Sequence, residues 1–180
     1  MASDKGKKKA DALRRRLFRK PRLVWDFLGP REKKSVFAFA EEYKTFLNDA
    51  KTEREAVRAI EGFAKQQGFV DMTGQGAGTR FYSVGKGKNI ALAVLGREPV
   101  SEGINLIVSH IDAPRLDIKQ NPLYEETDLA FLKTHYYGGI KKYQWLARPL
   151  AIHGTVFKSN GESFHMSIGE KPEDPVFTIA

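Results

Sequence analysis

The segment Gly103–Ser109 constrains the fold more than any other stretch of this chain. It supplies Ile104, Leu106, Ile107 and Val108 almost without a break. A short, nearly continuous apolar run suits a central β-strand covered on both faces, because an alternating strand would leave one face polar. Two helices precede it and can supply cover. The first is expected over about Arg31–Leu47, where Val36, Phe39, Ala40, Tyr43, Phe46 and Leu47 recur at helical spacing. The second is expected over about Glu53–Gln67, with Val57, Ile60, Phe63 and Ala64 on one side. Thr52 and Glu55 match a capping box at its start, and Gly68 matches a C-terminal cap. Both apolar stripes are expected to be core. Phe81–Val84 and Asn89–Leu95 read as strands joined by a Gly85-Lys86-Gly87-Lys88 turn. Helices first and strands next predict an α/β layered domain.

Beyond Arg148 the texture changes. Ala151–Lys158 and Ser163–Ile168 read as strands joined through Ser159-Asn160-Gly161, and Asn-Gly is a strong hairpin signal. No helix follows, which is how a β-rich subdomain would begin. The last residues, Val176–Ala180, are an apolar β-type segment, so the chain is expected to be the N-terminal piece of something longer. The glycine-rich stretch Gly74–Gly78 lacks the lysine and the following helix that a phosphate-binding loop requires, and reads as a turn. The short apolar segment Leu23–Leu28, ended by Gly29-Pro30, is expected to tuck against the body.

Charge separates one end of the chain from the rest. The formal net charge is +8, and residues 1–22 carry all of it, with ten Lys or Arg against two Asp. That stretch is expected to be a flexible basic arm with a helix through Ala12–Lys20. The remaining residues balance. A folded nucleic-acid-binding face needs its own basic excess, so nucleic acid is expected only as a non-specific partner of the arm. With no cysteine, disulfides, thiol nucleophiles and Cys-ligated metals are excluded. There is no secretory signal pattern and no long apolar run, so a cytoplasmic location without membrane attachment is expected.

The chemistry concentrates at Ser109-His110-Ile111-Asp112-Ala113-Pro114. In extended chain, residues two apart face the same way, so His110 and Asp112 project together from the end of the expected strand. Ligand sites in open α/β sheets lie off such strand ends. A neutral imidazole is a good zinc ligand, and a nearby carboxylate orients it or binds metal itself. A surface histidine beside a turn aspartate would read the same way.

The motifs continue in order: Arg115–Lys119, Tyr137-Gly138-Gly139, Trp145, and Arg148-Pro149-Leu150 leading to Gly154. This set resembles the M18 family of zinc aminopeptidases, and its bacterial aminopeptidase 1 branch in particular, over about residues 23–180. The resemblance implies a zinc-exopeptidase-like α/β catalytic domain, of which residues 23–149 would be the N-terminal part. Residues 150–180 would begin an inserted β-rich dimerisation domain. It implies a binuclear zinc centre, with Co2+ or Mn2+ as possible substitutes, that activates water to release N-terminal amino acids from peptides. His110 would be a metal ligand and Asp112 would support it. The general-base glutamate and the other ligands would lie beyond Ala180, leaving these 180 residues inactive alone. Homo-oligomers, dimers building to a dodecamer, are implied as well. Alanine stands at 147, where many relatives carry aspartate, so a preference for acidic N-terminal residues is not implied.

His135, Tyr137, Gly138 and Gly139 are read as a loop at the site entrance. His153 and His165 are read as packing or surface residues, and Trp145 as a packing anchor. Two other classes compete with the enzyme: a non-catalytic assembly subunit, and a nucleic-acid-associated protein acting through the arm.

Overall fold

A computed structural model describes residues 4–19, 21–74 and 77–179. The chain divides into two compact units at Thr45/Phe46. In the first, helix α1 spans Asp4–Leu17. The helix expected over 12–20 therefore starts earlier and ends sooner. Helix α2 spans Pro30–Asp49, so its last residues belong to the second unit. Pro30 opens it where a missing N–H costs nothing, and Glu32 Oε2 accepts from the Gly29 N–H at 2.7 Å. Trp25, in the short turn Val24–Asp26, meets Phe37 edge-on at 5.7 Å between ring centres, but Leu23, Val24 and Phe27 are exposed, so of the segment expected to tuck against the body only the tryptophan makes this contact with α2. The expectation that the α2 stripe is core is corrected. No residue of α2 is buried, and Phe39, Tyr43 and Leu47 are exposed. An amphipathic stripe specifies an apolar side, not a surface to cover it.

In the second unit, α3 (Glu53–Gln66) packs on a three-stranded sheet of β1 (Val70–Asp71), β2 (Arg80–Gly85) and β3 (Asn89–Val94). The order is β1-β2-β3, with β1 parallel and β3 antiparallel to β2. Ala56, Val57, Ala64 and Tyr82 form the buried core. Tyr82 keeps its hydroxyl satisfied by donating to Glu61 at 3.3 Å. The capping box at Thr52 forms as expected, and Gly68, at φ +77°, ends the helix. The turn into β3 carries Lys86 and Gly87, both with positive φ, the twist a two-residue hairpin turn needs. Residues 75 and 76 of the glycine-rich stretch lie outside the described residues.

Two further hairpins follow. Strands β4 (Arg115–Glu126) and β5 (Leu129–Tyr137) pair antiparallel across Thr127-Asp128, with a register shift between Ile118 and Leu123. Strands β6 (Ile152–Phe157) and β7 (Ser163–Ile168) pair across the Asn160-Gly161 turn, as the sequence predicts. Residues 177 and 179 return beside Leu150 and Leu146 through single bridges.

The central strand expected over Gly103–Ser109 is not formed. Those residues make no sheet pairing among the described residues, and Ile104, Leu106, Ile107 and Val108 are exposed, Ile107 by 95%. A buried parallel-type strand takes its hydrogen bonds from neighbours on both sides, and among the described residues no strand pairs with it. Among the described residues, no helix is long and apolar enough to cross a membrane.

Candidate metal-binding site

His110 and Asp112 meet as the spacing predicts. His110 Nδ1 lies 3.0 Å from Asp112 Oδ1 and 2.9 Å from the Asp112 carbonyl oxygen. Both partners are acceptors, so Nδ1 carries the hydrogen, and in its neutral form the ring presents its lone pair at Nε2. The imidazole is 82% exposed, so Nε2 is open to an incoming ion. Asp112 is held from its other side, where Oδ2 accepts from the Tyr137 hydroxyl at 2.7 Å. That phenol holds the Asp112 carboxyl below the usual carboxylate range, and the same bond pushes the Tyr137 hydroxyl up.

Local structure delivers Tyr137 to this point. It is the last residue of β5, paired with Arg115 at the start of β4. The Arg115 guanidinium sits 4.1 Å from the centre of the Tyr137 ring, and is itself anchored by Asp117 at 2.8 Å and Glu53 at 3.1 Å. Gly138 follows with φ +71°, and a Cβ there would stand 3.4 Å from Pro114 Cα. The glycine thus lets the end of β5 close against the His110–Pro114 segment. Gly139 has open space around its Cα. His135 lies on β5 opposite Asp117 and stacks on Tyr136 at 5.4 Å.

The sequence reading anticipated the pairing of His110 with Asp112, but not the phenolic clamp. Tyr137 was expected only to shape a loop. The Thr127-Asp128 hairpin that carries it there has only a weak turn signal in the sequence.

A second group converges where none was expected. Glu55 Oε1 lies 2.8 Å from His153 Nδ1 and 3.0 Å from His165 Nε2. His153 Nε2 lies 2.8 Å from Glu170 Oε1. His153 and His165, expected as packing or surface residues, both face the Glu55 carboxylate. The signal was present: the Asn-Gly turn sets His153 against Ser167 and Thr155 against His165, which puts both histidines on one face of the hairpin. Burial works to raise the Glu55 carboxyl, but hydrogen bonds from His153 and Thr52 outweigh it and hold the group below its ordinary value.

The family model for aminopeptidase I zinc metalloprotease (M18) matches residues 46–180. A probable M18 family aminopeptidase 1 of Borrelia garinii subsp. bavariensis is 48% identical over 86% of this chain and 34% of its own length. The crystal structure of aminopeptidase I from Borrelia burgdorferi B31 superposes with a TM-score of 0.80 at 43% identity, covering 88% of this chain and 40% of that one. The yeast mApe1 dodecamer shares the fold, with a TM-score of 0.61 at 21% identity over 74% of this chain and 34% of that one. The chain spans about a third of the length of the curated relatives it matches.

Proposed function

The chain belongs to the M18 family of zinc metalloproteases, and from that premise we propose that it contributes His110 as a zinc ligand, oriented by Asp112, to an aminopeptidase about three times as long. The observation that carries this reading is the hydrogen-bonded chain from Tyr137 through Asp112 to His110. A metal-ligating imidazole characteristically gives its other ring N–H to a carboxylate, which fixes the tautomer and raises the basicity of the ligating nitrogen. The residues present fit that role. When bound, zinc supplies Lewis acidity toward a peptide carbonyl and toward the attacking water. Asp112 holds the Nδ1 hydrogen of His110 in place, and Tyr137 keeps Asp112 ionised and aimed.

A catalytic zinc site uses about three protein ligands with one position open, and this site supplies one. We assign the remaining ligands, the general base and the binuclear arrangement to the rest of the whole protein, with zinc as the metal and cobalt or manganese as possible substitutes. The same remainder is assigned the strands that cover the exposed run Ile104–Val108. On this reading residues 23–149 are the first part of the catalytic domain, residues 150–180 begin a β-rich dimerisation domain, and residues 1–22 are a basic arm outside both. The substrate is the free N-terminus of a peptide. The protein is expected to assemble as a homo-oligomer, a reading supported by the dodecamer formed by the yeast neighbour.

The test uses the full-length protein, comparing His110→Ala and Asp112→Asn with the parent for bound zinc and for hydrolysis of an aminoacyl reporter. His110→Ala is expected to lose both. Asp112→Asn is expected to weaken zinc by about 10–100-fold, the usual effect of removing an orienting partner. Unchanged zinc content and turnover in His110→Ala would refute the assignment.

A further inference from the structure

We propose that Glu55, His153 and His165 form a binding site for one divalent transition-metal ion, zinc being the ion their donors suit best. Three facts carry the inference. First, the donors converge. Glu55 Oε1, His153 Nδ1 and His165 Nε2 all lie within 4.8 Å of one another. Tetrahedral zinc with bonds of about 2.0–2.1 Å holds its ligand atoms about 3.3 Å apart. The two contacts to Glu55, at 2.8 and 3.0 Å, need to open by only a few tenths of an ångström to admit an ion.

Second, the surrounding partners leave the ligand atoms aimed inward. Glu55 Oε2 is occupied, accepting from the Thr52 N–H at 2.9 Å and the Thr52 hydroxyl at 3.0 Å, which turns Oε1 toward the histidines. His153 Nε2 faces Glu170 Oε1 at 2.8 Å, and Glu170 is in turn held by Lys51 at 3.1 Å. That is the outer support a ligating imidazole ordinarily has. Both ring nitrogens of His153 thus face carboxylate oxygens. With its hydrogen on Nε2 and donated to Glu170, the ring offers the Nδ1 lone pair to a cation.

Third, the site is formed and open in the right proportion. The side chains of Glu55, His153 and His165 are 8%, 12% and 32% exposed. They line a groove of about 690 Å³, also bordered by Arg58 and Ser167, from which an ion can enter and where water can complete the coordination. Two imidazoles and one carboxylate suit zinc, and also accommodate iron, cobalt or nickel. Neither His110 nor Asp112 takes part.

The experiment titrates the 180-residue chain with zinc chloride against a chromogenic chelator, and follows the histidine ring resonances by NMR. One zinc ion is expected to bind with release of protons, moving the His153 and His165 resonances. His165→Ala is expected to weaken it by more than about tenfold, and Glu170→Gln, which removes an orienting partner, by about tenfold. His110→Ala is the control and is expected to retain the site. Because His165 lies on an exposed hairpin face, its loss should leave the far-ultraviolet spectrum unchanged, which separates lost ligation from lost folding. The proposal is overturned if no zinc binds, if the His153 and His165 resonances do not move, or if His110→Ala abolishes binding while His165→Ala does not.

Discussion

Thr52 is a single side chain on which helix α3 and the Glu55–His153–His165 group both depend, and Thr52→Ala measures that dependence. Its hydroxyl accepts from the Glu55 N–H at 3.3 Å and donates to Glu55 Oε2 at 3.0 Å. Replacing a threonine N-cap by alanine costs about 1 kcal/mol, because an orphan amide of the first turn is left without an acceptor. The lost hydroxyl donation to a carboxylate adds about 1 kcal/mol more, since the Thr52 N–H still serves the same oxygen at 2.9 Å and limits the damage. The total of about 2 kcal/mol corresponds to a fall in Tm of about 4–8 °C for a chain of this size. The assay is urea and thermal unfolding followed by circular dichroism, with Thr52→Ser alongside. Serine keeps the hydroxyl and should stay within about 0.5 kcal/mol of the parent, as serine and threonine cap comparably. If serine falls as far as alanine, the loss belongs to the methyl group and its packing, and the capping argument is wrong.

Two other positions are expected to respond. Glu55 is a buried carboxylate held below its ordinary pKa, despite the opposing effect of burial, by hydrogen bonds from His153 and Thr52. Its contribution to stability is therefore present above the ordinary carboxylate pKa of about 4.3 and lost as pH falls through the lower folded value. Urea midpoints measured from neutral pH down to about pH 3 should fall less steeply in Glu55→Gln, which retains a side chain able to complete the capping box; an unchanged acid limb would count against it. Gly138→Ala forces a side chain into a left-handed conformation against Pro114, at a cost of about 1–2 kcal/mol. It should also loosen Tyr137 from Asp112, seen by NMR as the Asp112 carboxyl titrating closer to its ordinary value, whereas Gly139→Ala, with open space, should change neither.

Legibility followed the range of the interactions involved. Helix α3, its capping box and its glycine terminator were all readable because each depends on residues three to five apart. The hairpins at Lys86-Gly87 and Asn160-Gly161 were readable because turn chemistry fixes the pairing on either side. The hairpin at Thr127-Asp128 was missed, since that dipeptide is not a strong turn signal and β4 contains a register shift at Asn121, whose φ is +50°. Gly103–Ser109 shows the opposite failure. Its composition was read correctly as strand-like, but strand formation requires neighbours far away in sequence. Burial of the α2 stripe was misjudged for the same reason: periodicity reports the helix and says nothing about the surface opposite.

That contrast bears on how the His110 site is organised. A histidine at the end of a central strand would ordinarily owe its direction to the sheet beneath it. Here the preceding residues make no sheet pairing among the described residues, and yet the ring is directed by Asp112 two residues away and by Tyr137 brought in on a hairpin. The orienting device is therefore local to β4, β5 and the His110–Pro114 segment that precedes β4. Its parts are held by Arg115 against the Tyr137 ring and by the close approach of Gly138 to Pro114. On the proposed reading of His110 as a ligand, part of the entropic cost of orienting its ring is met within this segment, without a neighbouring strand. Ligands supplied from elsewhere in a longer chain would then meet an imidazole already fixed in tautomer and direction, the condition under which a metal site gains affinity from its outer partners.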